Sequence, residues 1–189
     1  MSARLHFNQS GGFSTLRSVT PNTGVKGFDI VMANLNREIV KVKNGTLEGL
    51  IHATIIIRRD TEKSSPSTPV DIGNLRASWF VVSVKGKALD PEAYTKFRNK
   101  PFKKMRYTAS FLRANHEQVV ATAQAGVSGV REPTVIMGYS VPYAVYVHEN
   151  YGAQFKRQDP PAGPKWFETA VKNNRNLILE TIGKHAKIL

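Results

Sequence analysis

The stretch Thr134–Asn150, TVIMGYSVPYAVYVHEN, constrains the fold of this chain more than any other. Val135, Met137 and Tyr139 alternate with Thr134, Ile136 and Gly138, the period of two that a half-buried strand shows. Ser140-Val141-Pro142 ends that strand, because proline has no N–H for a sheet ladder and biases its predecessor away from helix. The dense run Tyr143–Val147 follows. Its β-branched valines suit a strand, while Tyr143/Val147 and Tyr146/Asn150 stand at helical i,i+4 spacing, and a short helix is the preferred reading. Buried-type side chains on both sides of a break place this stretch at the centre of the core.

A length of 189 residues suffices for one substantial core with an appendage. A hydrophobic share of 41% and a charged share of 22% speak against disorder throughout. Disulfides and thiolate metal sites are excluded by the absence of cysteine. The opening residues, MSARLHFNQSGGF, contain no apolar run of the kind a secretory leader needs, and no stretch approaches the roughly 18 apolar residues of a membrane span. The expectation is a soluble protein made in the cytoplasm. Its net charge of +13 points to polyanions, nucleic acid first, or to acidic neighbours in an assembly.

Along the chain, residues 1–27 are rich in Gly, Ser, Thr and Asn without periodicity and read as a mobile N-terminal arm. Residues 28–189 read as a single α+β domain. Val31, Leu35, Ile39 and Val42 share one helical face from Phe28 onward. Asn44-Gly45 interrupts that pattern, and Thr46 is placed to cap a second segment with Glu48 in its first turn. Two helices, or one kinked helix, are expected over about Phe28 to Arg59, with Ile55-Ile56-Ile57 equally able to form a strand. Asp60–Pro69 is a loop by composition. Asp71 is then expected to cap a short turn, and Trp79–Val84 to form a strand paired with Thr134–Tyr139.

Between these strands lies an insertion over about 86–132. Its first part holds Lys85, Lys87, Lys96, Arg98, Lys100, Lys103, Lys104, Arg106 and Arg113 against only Asp90 and Glu92, interleaved with Tyr94, Phe97, Phe102, Tyr107 and Phe111. Ser110–Ala125 has helical spacing. A Gly/Pro loop follows Asn150, Pro164 suits a first helical turn, and Trp166 to Ile182 carries the clearest apolar stripe in the chain, read as one terminal helix.

Chemistry is hard to find. His148-Glu149 lacks the second histidine four residues on that a zinc-protease helix requires, because position 152 is glycine; a structural hydrogen bond is the simpler role. The remaining histidines lack ligand spacing. No phosphate-cradling glycine loop or nucleophile elbow occurs. Asp71 with Glu149 is the one conceivable carboxylate pair. No catalytic, cofactor or metal site is therefore expected. The basic interval is a binding candidate: Lys96, Arg98, Lys100, Lys103, Lys104 and Arg106 could neutralise phosphates. Tyr94, Phe97, Phe102 and Tyr107 are candidates to pack against a subunit or partner.

Three segments in order carry a resemblance: P-V-D-x-G-N-L-R-x-S at Pro69–Ser78, V-P-Y-A-x-Y-V-H-E-N at Val141–Asn150, and A-G-P-K-W-F-E-T-A-V at Ala162–Val171. Together they are similar to the tail-completion or neck proteins of long-tailed bacteriophages, also described as head–tail joining or minor capsid proteins. Ile72 stands where that family usually has threonine, and the 85–132 interval looks longer than its usual hairpin. The resemblance implies an α+β subunit with N-terminal helices and a C-terminal helix on a small antiparallel sheet. It further implies a homo-oligomeric ring without enzyme activity in the virion neck, between portal or adaptor and tail-terminator or tail-tube proteins, around a DNA channel. The alternative reading is a basic nucleic-acid-binding protein using 85–113.

Overall fold

The computed structural model describes residues 27–89, 96–99 and 107–188. The arm expected over 1–27 lies outside them apart from Gly27. In order, the described elements are α1 (Phe28–Lys63), α2 (Asn74–Ala77), β1 (Trp79–Ser83), β2 (Gly86–Leu89), α3 (Ala109–Val127), β3 (Val135–Tyr139), α4 (Ala144–Glu149), α5 (Trp166–Asn173) and α6 (Arg175–Ala186). The architecture is α+β, as the pattern of the sequence implies.

The sheet has the order β2-β1-β3. β1 and β3 are antiparallel, with Trp79 opposite Tyr139 and Ser83 opposite Val135, the expected pairing. β2 was expected to belong to the insertion. Instead it returns along β1 as a tight hairpin with Ser83 opposite Gly86, whose φ of 115° few other residues tolerate. Every residue of β1 is buried, because helices cover both faces of the sheet. Phe80 and Val82 point into a cluster with Val120 and Val127 of α3. On the opposite face the Arg58 guanidinium of α1 lies 4.3 Å above the Trp79 ring, a cation–π contact. Tyr139 closes this side, its hydroxyl 3.3 Å from both Thr61 Oγ1 and Thr68 Oγ1.

α1 corrects the expected break at Asn44-Gly45. It runs unbroken through both residues, and Thr46 caps nothing; its hydroxyl donates to Val42 O at 2.8 Å. Gly45 serves packing instead. A Cβ there would stand 2.1 Å from His185 O, and one at Gly49 would stand 2.6 Å from Ile182 Cα. The two glycines let α6 lie antiparallel against α1 at backbone contact, and His52 stacks on His185 with ring centroids 4.5 Å apart. Glu48 sits mid-helix beside His185 rather than in a first turn. Farther towards the N-terminus the same stripe is exposed to a greater degree: Val31 is 62% exposed, Leu35 51%, Val42 39% and Ile39 38%.

The terminal helix is also corrected, being two helices. Asn174 divides α5 from α6, its side-chain amide donating to Ala170 O at 2.9 Å, a local bond that competes with the helical ladder. α3 matches its expected span within two residues at each end, and Thr108 caps it by accepting from Phe111 N. α4 settles Tyr143–Val147 as helical.

Candidate functional site

The three segments that carry the resemblance are far apart in sequence, and the fold brings them together. Leu75 from the first, Val141 and Ala144 from the second, and Trp166 from the third share one buried cluster with Phe97, Ala109 and Leu112. Tyr139 meets the rings of Trp166 and Phe167 edge-on at 6.2 and 6.5 Å. The loops before α2 and α5 are stitched by Gln158, whose side chain accepts from Val70 N at 2.9 Å and donates to Ser67 Oγ at 2.6 Å. Ser67 in turn donates to Pro160 O at 2.8 Å.

His148 and Glu149 belong to a brace between α4 and α5. Glu149 is bonded to His148 Nδ1 at 2.7 Å and to Lys165 Nζ at 2.5 Å, and Lys165 also reaches Glu168 at 3.3 Å. The bonds from Lys165 and then His148 hold the Glu149 carboxyl below its ordinary value, and Glu149 in turn raises Lys165. The His148 ring stands edge-on to Trp166 at 4.7 Å, and Lys165 N donates to His148 O at 2.9 Å. Lys165, in the left-handed region at φ 57°, precedes α5, so Pro164 lies just before the first helical turn. The brace flanks Trp166, which is 1% exposed and is met directly by the His148 ring.

Asp71 does not cap α2, whose N-cap is Gly73 without any side-chain bond. Its carboxylate pairs with the Lys156 ammonium across the mouth of an apolar cleft of ≈ 500 Å³. Val70, Ile72, Leu75, Tyr107, Tyr143 and Phe155 line the cleft, and Glu149 does not. Burial, and then the nearby Asp71 charge, push the Tyr143 hydroxyl up to about 12. The two acids considered as a catalytic pair are thus held by different lysines, and only one of them faces the cleft. Among the described residues no group of three or more His, Cys, Asp and Glu is placed to hold a metal ion. No described helix is long and apolar enough to cross a membrane.

The binding candidates of the basic interval separate. Lys96 and Arg98 are exposed; Lys100, Lys103, Lys104, Arg106, Tyr94 and Phe102 lie outside the described residues. Phe97 corrects its expectation as an interface residue: at 3% exposure it is a core residue, with its ring 6.1 Å from that of His116. Tyr107 is half-buried, stacked on Phe111 at 5.4 Å and tilted against Tyr143 at 6.0 Å. Asn74, 1% exposed, is the residue sequence reasoning missed. Its Oδ1 accepts from Arg98 N and its Nδ2 donates to Arg98 O, both at 2.8 Å, so one amide imitates a strand partner for a single residue. Asn99 does similar work by accepting from Ala109 N at 2.8 Å. The signal for Asn74 was its place after Gly73, whose φ of 87° turns the chain so that the next side chain points inward.

The chain matches no family model, no curated protein and no solved structure. Residue geometry must therefore carry the functional reading.

Proposed function

We propose that this chain is a structural subunit of a bacteriophage virion neck: one copy in a homo-oligomeric ring that joins portal-side and tail-side rings around the DNA channel. The observation that supports this most is the meeting of Pro69–Ser78, Val141–Asn150 and Ala162–Val171 on one core, with Trp166 at its centre. These segments do not converge on a cluster of reactive groups. Their charged members, Glu149 and Lys165, brace helices, and Asp71 is tied to Lys156. A protein that works by shape needs a packed body, and the cluster around Trp166 is consistent with that need. The cations of the basic interval would then face the channel or acidic neighbours.

The deciding experiment is reconstruction of the chain with portal and tail rings, with mass measurement of the resulting particle. A closed ring at the head–tail junction is expected; a monomer that binds neither ring would end the reading. One observation favours a second reading: Lys96 and Arg98 stand exposed at the root of the basic interval. A nucleic-acid-binding protein would bind duplex DNA with an affinity that falls steeply with salt, and reversing Lys96 and Arg98 would flatten that slope.

A further inference from the structure

α5 and α6 are joined end to end and are held very differently. α5 is anchored in the body, with Trp166 and Ala170 both fully buried. α6 packs on α1 and on no other described element to a comparable extent. Of its twelve residues only Gly183 and Ala186 are buried, while Leu177 and Leu179 stay exposed. The joint between the two helices is a single residue. Asn174 N donates to Ala170 O at 3.2 Å and Ile178 N donates to Asn174 O at 2.8 Å, so helical bonds reach the joint from both sides. Asn174 itself stands at φ −100° and ψ 10°, off the helical values of about −63° and −42°. A rigid helix on a one-residue hinge, held by little buried surface, belongs to the part of a fold that opens first.

We infer that α6 is exchanged between copies of this chain, leaving its own α1 and seating on the α1 of a neighbour. This rests on the reading that the chain assembles with itself, and it names the element that makes the contact. The seat on α1 commits it to that occupant. A Cβ at Gly45 would run into the backbone of His185 and Ala186, and one at Gly49 into Ile182 Cα. The seat therefore takes a helix at backbone distance, and His52 adds a ring for His185 to stack on. A vacated seat presents the shape and the ring that α6 matches, and every α6 beyond a chain's own belongs to another copy. Exchange remakes the same contact between the same atoms, so no new surface has to fit; what changes is the conformation at Asn174. That is the economy of a swapped element. Passed from each copy to the next, α6 makes a head-to-tail contact that closes as a ring; passed back, it makes a reciprocal dimer.

The chain has no cysteine, so introduced ones report the contact directly. In a full chain carrying both His52→Cys and His185→Cys, a short bis-maleimide should bridge the two thiols. For the test, the His52→Cys chain is mixed at high concentration with a size-tagged His185→Cys chain and treated with the same reagent. A covalent dimer holding one chain of each kind is expected, several-fold above the yield from His52→Cys mixed with Tyr151→Cys, whose site is exposed and off α6. Glu48→Cys, also beside His185, repeats the test should the His52 variant fold poorly by circular dichroism. Bridging within the double variant without a mixed dimer above that control overturns the inference, since α6 then stays on its own chain. If this happens while the chain still forms rings with portal and tail proteins, the connector reading stands and only the exchange is lost. A mixed dimer from a chain that joins neither ring removes the connector reading and leaves the exchange in place.

Discussion

The two halves of α1 carry one apolar stripe and meet different fates. From Gly45 onward two glycines, Gly45 and Gly49, stand on the stripe, and α6 lies against them at backbone distance. Before Gly45 it is built of branched aliphatic residues and lies open. Small residues mark where a helix is already matched within its own chain, because close approach needs the absence of side chain. Before Gly45, the branched side chains of Val31 and Leu35 keep more than half of their surface in contact with solvent. A periodic pattern states that a helix has an apolar face and says nothing about what covers it.

That contrast can be broken or sharpened by substitution. Trp79→Ala, beneath Arg58 on the covered half, should cost about 3–5 kcal/mol in denaturant unfolding; a loss below about 1 would mean that α1 does not hold the sheet. Asn74→Ala, which strips both bonds from the Arg98 backbone, should cost about 1–3 kcal/mol and raise amide exchange at Arg98 and Ala109. Gly45→Ala should cost about 1–3 kcal/mol through overpacking against His185. This inverts the usual gain of alanine over glycine in a helix, and a stabilised variant would show that α6 does not meet α1 at backbone distance. Leu35→Ala on the open half should change the stability of the dilute chain by less than about 0.5 kcal/mol. A larger loss would mean that the ridge is covered within the chain.

The smallest effect concerns pH. Glu149 has a folded value below the ordinary 4.5, chiefly through Lys165, so folding favours its charged form. That contribution is complete above pH 4.5 and is lost as pH falls through the folded value. Lys165→Met removes that contribution, so it should lower stability slightly above pH 4.5, leave the strongly acid end unchanged and flatten this part of the acid-unfolding curve, the effect being small because the Glu149 carboxylate is screened by solvent.

What could be read from the sequence divides along the same line between local pattern and tertiary match. The β1–β3 pairing, α3, the short α4 and the apolar stripe that begins at Trp166 followed from period, composition and punctuation. The unbroken α1 did not, because Gly45 has the same letter whether it ends a helix or admits another one, and only the position of His185 distinguishes the two. The break at Asn174 was hidden inside a continuous stripe, as a local side-chain bond leaves hydrophobic periodicity intact. At the cleft, Asp71 looked like a cap because caps are local; its partner Lys156 is 85 residues away. Phe97 looked like a surface aromatic because it sits among cations, and its neighbours in space are Leu75 and Leu112.

The paired bonds of Asn74 to Arg98, with Asn99 holding Ala109, fasten the backbone at two points through side chains instead of through a strand ladder. Each position is thereby set by a single side-chain amide, so one substitution at Asn74 or Asn99 is enough to release the backbone that it holds.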